Sequence, residues 1–191
     1  MDQLVSLFEA AVVFGTVILF GSVGEILTEK SGNLNLGVPG IMYLGGIAGI
    51  AGAFWYESNF ESPVPFVGLL ISLVCALAAA AFGLIYSFLT ITLRANQNVT
   101  GLTLTIFGGG VANFFGGALN NMAGGVGQIS VAVTSSAYRA TLPFLSEVSL
   151  FSSLGFMVYL ALIIAVATSI FLNRTHKGLN LRAVGENPAT A

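Results

Sequence analysis

One histidine, one cysteine and eight carboxylates are the whole stock from which a catalytic or metal site could be built. They are not arranged for it. His176 and Cys75 stand about a hundred residues apart, and no HExxH, Gly-x-Ser-x-Gly or phosphate-loop pattern occurs. Glu25 and Glu29 lie one helical turn apart, which would suit an acid/base pair, but beside a long apolar run they read more simply as a solvated pair at a membrane edge. His176, next to Lys177 in a basic stretch, reads as a surface residue. Cys75 lies inside an apolar run and reads as a packed thiol, with no second cysteine for an intramolecular disulfide. Enzymatic chemistry is therefore not expected of this chain.

The informative polar residues are uncharged ones embedded in apolar sequence. Ser31 to Gly40 holds two asparagines, three glycines and a proline, and it opens a stretch with no charge as far as Tyr56. Backbone groups freed in hydrocarbon cost several kcal/mol each, so such a sequence would be tolerated at membrane depth only where protein or a watery cavity covers it. The plainer alternative is an interfacial loop followed by a regular helix from about Ile41. A second polar approach, Asn96-Gln97-Asn98-Val99-Thr100-Gly101, precedes another glycine-rich run. Asn33, Asn35, Asn98, Thr100 and Asn113 are costly in lipid and should face either a substrate path or neighbouring helices through hydrogen bonds. At 100° per residue Thr105, Gly109, Asn113, Gly116 and Asn120 share one narrow arc, a small and polar side on an otherwise greasy helix. Gly109 joins the candidate path on that ground. Asn187-Pro188-Ala189 matches the tripeptide that caps half-helices in water channels, but one copy behind a charged stretch does not make such a channel.

The elements that position these residues must be membrane helices. Hydrophobic residues make up 55% of the 191 and charged ones 7%, with mean hydropathy +0.92, against about 25% charged in soluble domains. No basic tract points to nucleic acid. Met1-Asp2-Gln3 lacks the basic start of a signal peptide. With about 20 apolar residues per span, five spans are expected: Leu4–Gly24, Leu36–Tyr56, a long one within Phe66–Leu93, Asn98–Asn120 and Leu150–Leu172. Asn121–Ser149 is too polar and glycine-broken to span; it reads as a structured loop with a short strand at Gln128–Val133. A short acidic loop is expected from Glu57 to Pro65. Five spans put Lys30, Arg94, Arg174, Lys177 and Arg182 on one side and leave Arg139 with Asp2, Glu57, Glu61 and Glu147 on the other. The basic side should be cytoplasmic and the N-terminus external.

Three blocks resemble a known family. Thr28 to Met42, read as Thr-Glu-Lys-Ser-Gly-Asn-Leu-Asn-Leu-Gly-Val-Pro-Gly-Ile-Met, looks like the Ser-Gly-x-x-Asn-(Ile/Leu)-Gly-x-Glu-Gly-x-Met motif of nucleoside ABC-importer permeases, relatives of the ribose and branched-chain amino-acid permeases. Asn96 to Gly101 resembles their Asn-Gln-x-(Val/Ile)-(Ser/Thr)-Gly element. Gly178 to Pro188 is similar to their cytoplasmic Gly-Leu-x-Leu-Arg-Ala-Val-Gly-Glu-Asn-Pro segment. Pro39 stands where the nucleoside branch usually has Glu, so no role of that carboxylate carries over. Family members continue with further spans past Glu-Asn-Pro, so the chain is expected to be the N-terminal part of a permease.

The resemblance implies an all-α integral membrane fold, a single permease domain over residues 1–191 with residues 173–191 as a cytoplasmic coupling segment. It implies transport of nucleosides across a bacterial plasma membrane. The expected partners are a second permease chain, ATP-binding subunits carrying Mg-ATP, an external substrate-binding lipoprotein and lipid; the chain itself should hold no cofactor or metal. In the coupling segment, Leu179, Leu181 and Val184 supply an apolar side, and Arg182, Gly185, Glu186, Asn187 and Pro188 the part expected to meet an ATPase groove. Pro188 disfavours helix at Asn187, so a turn before a second short helix is expected. A secondary transporter or channel without ATP coupling, and a membrane fragment with no transport role, are the rival readings.

Overall fold

The computed structural model describes residues 2–125, 127–140 and 154–187. Eight α-helices occur among them: α1 (Asp2–Lys30), α2 (Val38–Asn59), α3 (Pro65–Ala76), α4 (Ala78–Ser87), α5 (Gln97–Met122), α6 (Ala132–Tyr138), α7 (Phe156–Arg174) and α8 (His176–Glu186). A π-helical turn, Phe88–Thr92, continues α4. No strand occurs among the described residues. Five helical stretches are long and apolar enough to cross a membrane: Gln3–Lys30, Val38–Asn59, Pro65–Thr92, Gln97–Met122 and Phe156–Arg174. The chain is an all-α polytopic membrane protein. Its outward surface fits that solvent, with Leu4, Leu84, Ile106 and Phe114 each more than 70% exposed.

Two compact units divide the chain: Met1–Asn35 with Tyr138–Ala191, and Leu36–Ala137. In the first, α1 packs on α7, and α8 packs on both. At ~1.5 Å per residue α1 is about 43 Å long, more than the ~30 Å hydrocarbon core, so one end must leave it. Glu25, Glu29 and Lys30 mark that end. α1 closes in a Schellman turn: Asn33 N–H donates to Thr28 O at 3.0 Å and Gly32 N–H to Glu29 O at 2.9 Å. Gly32 takes φ +85°, a conformation glycine adopts without a Cβ penalty. α8 starts on a side-chain cap, Thr175 Oγ1 accepting from Gly178 N–H at 3.0 Å.

In the second unit α2 lies against α3, α4 and α5. Pro39 sits in the first turn of α2 and Pro65 opens α3; neither removes a needed bond, because the first amides of a helix have no internal acceptor. Asn96 caps α5, its Oδ1 accepting from Val99 N–H at 3.1 Å. Small residues allow the close crossings. A Cβ on Gly52 would meet Cys75 Sγ at 2.5 Å, and one on Gly49 would meet Ser72 O at 3.2 Å. Cys75 is thus the packed thiol that its surroundings implied.

The long third span is present as Pro65–Thr92; within it the chain makes a turn at Leu77, where Ala80 N–H bonds Leu77 O, and it ends in the π turn, with Leu93 N–H reaching Phe88 O. Nothing in Cys75–Ala79 explains the turn at Leu77. The strand expected at Gln128–Val133 is replaced by irregular chain and then α6, which starts at Ala132. Glu57 belongs to the last turns of α2, not to a loop, and its carboxylate holds the start of α6, accepting from Thr134 N–H at 2.6 Å and Val133 N–H at 3.3 Å. A carboxylate suits amides that lack intrahelical partners.

Candidate functional site

The segment between α1 and α2 is where two of the three recognisable blocks are anchored. Residues 31–37 form a connection rather than a break inside a helix, since α2 runs uninterrupted from Val38. Its first part belongs to the first unit. Asn35 is buried (7% exposed), and its N–H donates to Glu25 Oε1 at 3.0 Å. Thr28 Oγ1 donates to Glu25 Oε2 at 3.2 Å. Glu25 is therefore a structural acceptor that ties the connection back to α1, not the solvated carboxylate its position suggested. Asn33 is half-buried beside Gly32.

α8 is seated on the same end by two glycines seven residues apart. A Cβ on Gly178 would collide with Phe171 O and lie 2.8 Å from Leu172 Cα, at the end of α7. A Cβ on Gly185 would collide with Lys30 O and lie 2.8 Å from Gly32 N and 2.9 Å from Ser31 C. All of these neighbours are backbone, which cannot swing aside. Arg182 is half-buried, donating to Asn173 Oδ1 at 2.9 Å and standing 3.8 Å from Glu186 Oε1. The second contact is solvent-exposed and contributes little to stability. Leu179 and Val184 are 47% and 48% exposed. Gly185 thus faces inward, whereas Glu186 and Asn187 are exposed. Asn187 is extended, with φ −153° and ψ 95°, as expected of a residue before proline. Pro188 lies outside the described residues, as does any second short helix beyond it.

In the second unit the connection's later residues meet α5. A Cβ on Gly101 would lie 2.8 Å from Leu36 N and 2.9 Å from Gly37 N. Thr105 Oγ1 donates to Leu36 O at 2.6 Å. Gly40 and Gly108 meet backbone to backbone: a Cβ on Gly108 would collide with Gly40 O, and one on Gly40 with Leu104 O. Asn98 and Thr100 sit in the first turn of α5, with Thr100 Oγ1 bonded to Asn96 O at 2.9 Å. Gly109 and Asn113 lie about 13 Å or more further along the helix at ~1.5 Å per residue. Gly109 has open space where a Cβ would be, and Asn113 is exposed. The expected arc is therefore divided: Thr105 is bonded to the connection, while Gly109 and Asn113 are turned away from the tight crossing. Sequence reasoning gave no packing role to Gly101 or Gly108 and read Glu25 as solvated. The run Gly108-Gly109-Gly110 and the glycine that closes the Asn96–Gly101 block were the signals of a close crossing.

The described residues thus hold five apolar helical stretches long enough to span a membrane, joined by polar connections, and among them no grouping of three His, Cys, Asp or Glu suited to a metal. The chain belongs to the family described as branched-chain amino acid transport system / permease component, which matches residues 7–191. That family is one of transport permeases.

Among curated relatives, a Haloferax volcanii protein named "Putative glucose ABC transporter permease protein" is 33% identical, covering 100% of this chain and 55% of that protein. The nucleoside ABC transporter permease protein of Lactococcus lactis is 28% identical over 94% of this chain and 55% of its own length. A guanosine ABC transporter permease protein of Bacillus subtilis is 26% identical over 95% and 56%. The chain spans about half the length of these relatives. No solved structure matches it significantly.

Proposed function

We propose that this chain is part of the permease subunit of a binding-protein-dependent ABC importer for nucleosides, placed in a bacterial plasma membrane with its N-terminus outside. The observation that carries the reading is the family match across residues 7–191. The seating of Gly185 on the Ser31–Gly32 turn supports it, because a segment meant to pass force into the membrane must be fixed to a membrane helix. The chain binds no cofactor of its own; Mg-ATP is hydrolysed by partner ATPase subunits. A second permease chain completes the translocation path, and an external lipoprotein delivers substrate. α8 offers the ATPase an exposed surface of Leu179, Val184, Glu186 and Asn187. Asn33, Asn35, Asn98, Thr100, Gly109 and Asn113 are the residues proposed to line the path.

A sugar is the second reading of the substrate. It is favoured by the 33% identity to the glucose-named relative and by Pro39 in place of the nucleoside branch's Glu. The test is to co-express the full-length permease with an ATPase, a second permease and a substrate-binding lipoprotein from the same organism and to follow uptake of labelled guanosine and glucose. Co-purification of the ATPase and ATP-dependent guanosine uptake are expected. Uptake without ATPase or ATP would instead establish a secondary transporter or channel, and exclusive glucose uptake would establish the sugar reading.

A further inference from the structure

We infer that Gly32 and Gly185 form the joint through which α8 acts on the Asn33–Asn35 connection, Gly185 serving as a positioning residue for transport. The inference rests on the ABC-permease reading and deepens it. α8 touches the rest of its unit through glycine at both ends, and the two contacts differ in kind. Gly178 abuts Phe171 and Leu172, only a few residues before it in sequence, so that contact fixes the α7–α8 corner. Gly185 abuts Lys30, Ser31 and Gly32, about 150 residues away, at the point where α1 stops being helical.

The target of that second contact is a turn held by specific bonds. Gly32 stands at φ +85°, and a Cβ there would lie 3.1 Å from Gly185 Cα and 3.3 Å from Gly185 O. Ser31 Oγ donates to Thr28 O at 2.6 Å. Two residues beyond Asn33, Asn35 is held by Glu25. Displacing α8 therefore moves Gly32 directly, because two backbones in contact have no side chain between them to absorb the motion. Asn33 to Asn35 follow covalently. Arg182, bonded to Asn173 Oδ1 at 2.9 Å, adds a side-chain tie between α8 and the end of α7.

The test uses the assembled full-length transporter in lipid, in a Cys75→Ser background with Leu34→Cys as a reporter, since Leu34 is 39% exposed. Maleimide labelling of that cysteine is measured with and without ADP-vanadate trapping, alongside ATPase co-purification, ATP hydrolysis and uptake. Gly185→Ala should insert, retain the ATPase and retain hydrolysis, yet lose uptake by about tenfold, within the range of ordinary allosteric couplings, together with the nucleotide-dependent change at Leu34→Cys. Gly32→Asn is the milder wedge, because asparagine tolerates positive φ; it should give a partial loss of both readouts and carries the test if Gly185→Ala does not fold. Gly24→Ala, at a site with open space, should match the parent. Parental uptake and labelling change in both wedge variants would overturn the joint, as would loss of the ATPase from Gly185→Ala, which would make Gly185 part of the docking surface. A parent that never retains the ATPase would instead defeat the functional reading beneath it.

Discussion

At the scale of single residues, the molecule is held at its helix ends by contacts that leave no room for a side chain. Gly101 sits with its Cα hydrogens against the amides of Leu36 and Gly37, so Gly101→Ala forces backbone apart. Overpacking of this kind costs about 1–3 kcal/mol. Gly117, on the same helix, has open space, and its replacement by alanine should be neutral or gain up to about 1 kcal/mol of helix propensity. Thermal melting of the purified protein in detergent should therefore fall for Gly101→Ala and not for Gly117→Ala; similar melting would mean that the close approach of α5 to Leu36 does not exist. Glu25 supports a second residue-scale expectation. Glu25→Ala leaves Asn35 N–H and Thr28 Oγ1 without their acceptor and should cost about 1–3 kcal/mol, whereas Glu25→Gln keeps an acceptor oxygen and should cost clearly less in the same assay. That role was not legible in the sequence. A carboxylate beside Glu29 and Lys30 looks solvated until the chain is seen to fold back ten residues later and present an amide to it.

The elements themselves were more legible than their facing. Five spans follow from uninterrupted apolar length, and the structure has them, because in lipid the backbone must satisfy itself within each helix. The start of α5 was legible to within a residue, from the polar approach Asn96–Gly101 that precedes the apolar run, whereas the cap at Asn96 came only from the structure. Which side of α5 packs was not. Polarity singled out the arc through Gly109 and Asn113, but the close crossing uses Gly101, Leu104 and Gly108, one residue out of phase. The run Gly108-Gly109-Gly110 leaves that phase undetermined from sequence, since a backbone crossing needs only a missing Cβ and the run supplies one on every side.

The two faces can be probed separately. Gly108→Leu drives a side chain into Gly40 and should prevent accumulation of folded protein. Gly109→Leu meets open space and should insert normally; if that side lines the path it should cut uptake severalfold, while Phe114→Leu, at a position 73% exposed, should not. Equal uptake in Gly109→Leu and Phe114→Leu would remove the arc from the path. On α8 the corresponding exposed probe is Glu186→Lys. Its carboxylate contributes little within the chain, so insertion and substrate-protein docking should persist while substrate-stimulated ATP hydrolysis in the assembled complex is lost. Unchanged stimulation would show that Glu186 does not meet the ATPase.

At the scale of the whole molecule the governing asymmetry is charge. Lys30 ends α1, Arg94 follows the π turn, Arg174 ends α7, and Lys177 and Arg182 lie on α8. With five spans these five basic residues, of six in the chain, share one side. Arg139 alone falls on the other side, which also carries Glu57 and Glu61. Basic residues within about 15–20 residues of a span resist translocation far more than acidic ones, so the orientation we propose is the one with Lys30 inside. Four spans or six would move the Arg174–Arg182 group to the side opposite Lys30 and erase the bias, which is why orientation also tests the span count. Single cysteines placed in a Cys75→Ser background can read it in intact cells with a membrane-impermeant maleimide. Ser58→Cys and Ser62→Cys, at the exposed end of α2 and beyond, and Ser130→Cys, in the exposed chain before α6, should label without permeabilisation. Arg94→Cys and Lys177→Cys should label only after the membrane is opened. External labelling at Lys177→Cys with Arg94→Cys still protected would change the number of spans between them, and reversal at all five positions would invert the protein and place α8 beyond the reach of any cytoplasmic ATPase.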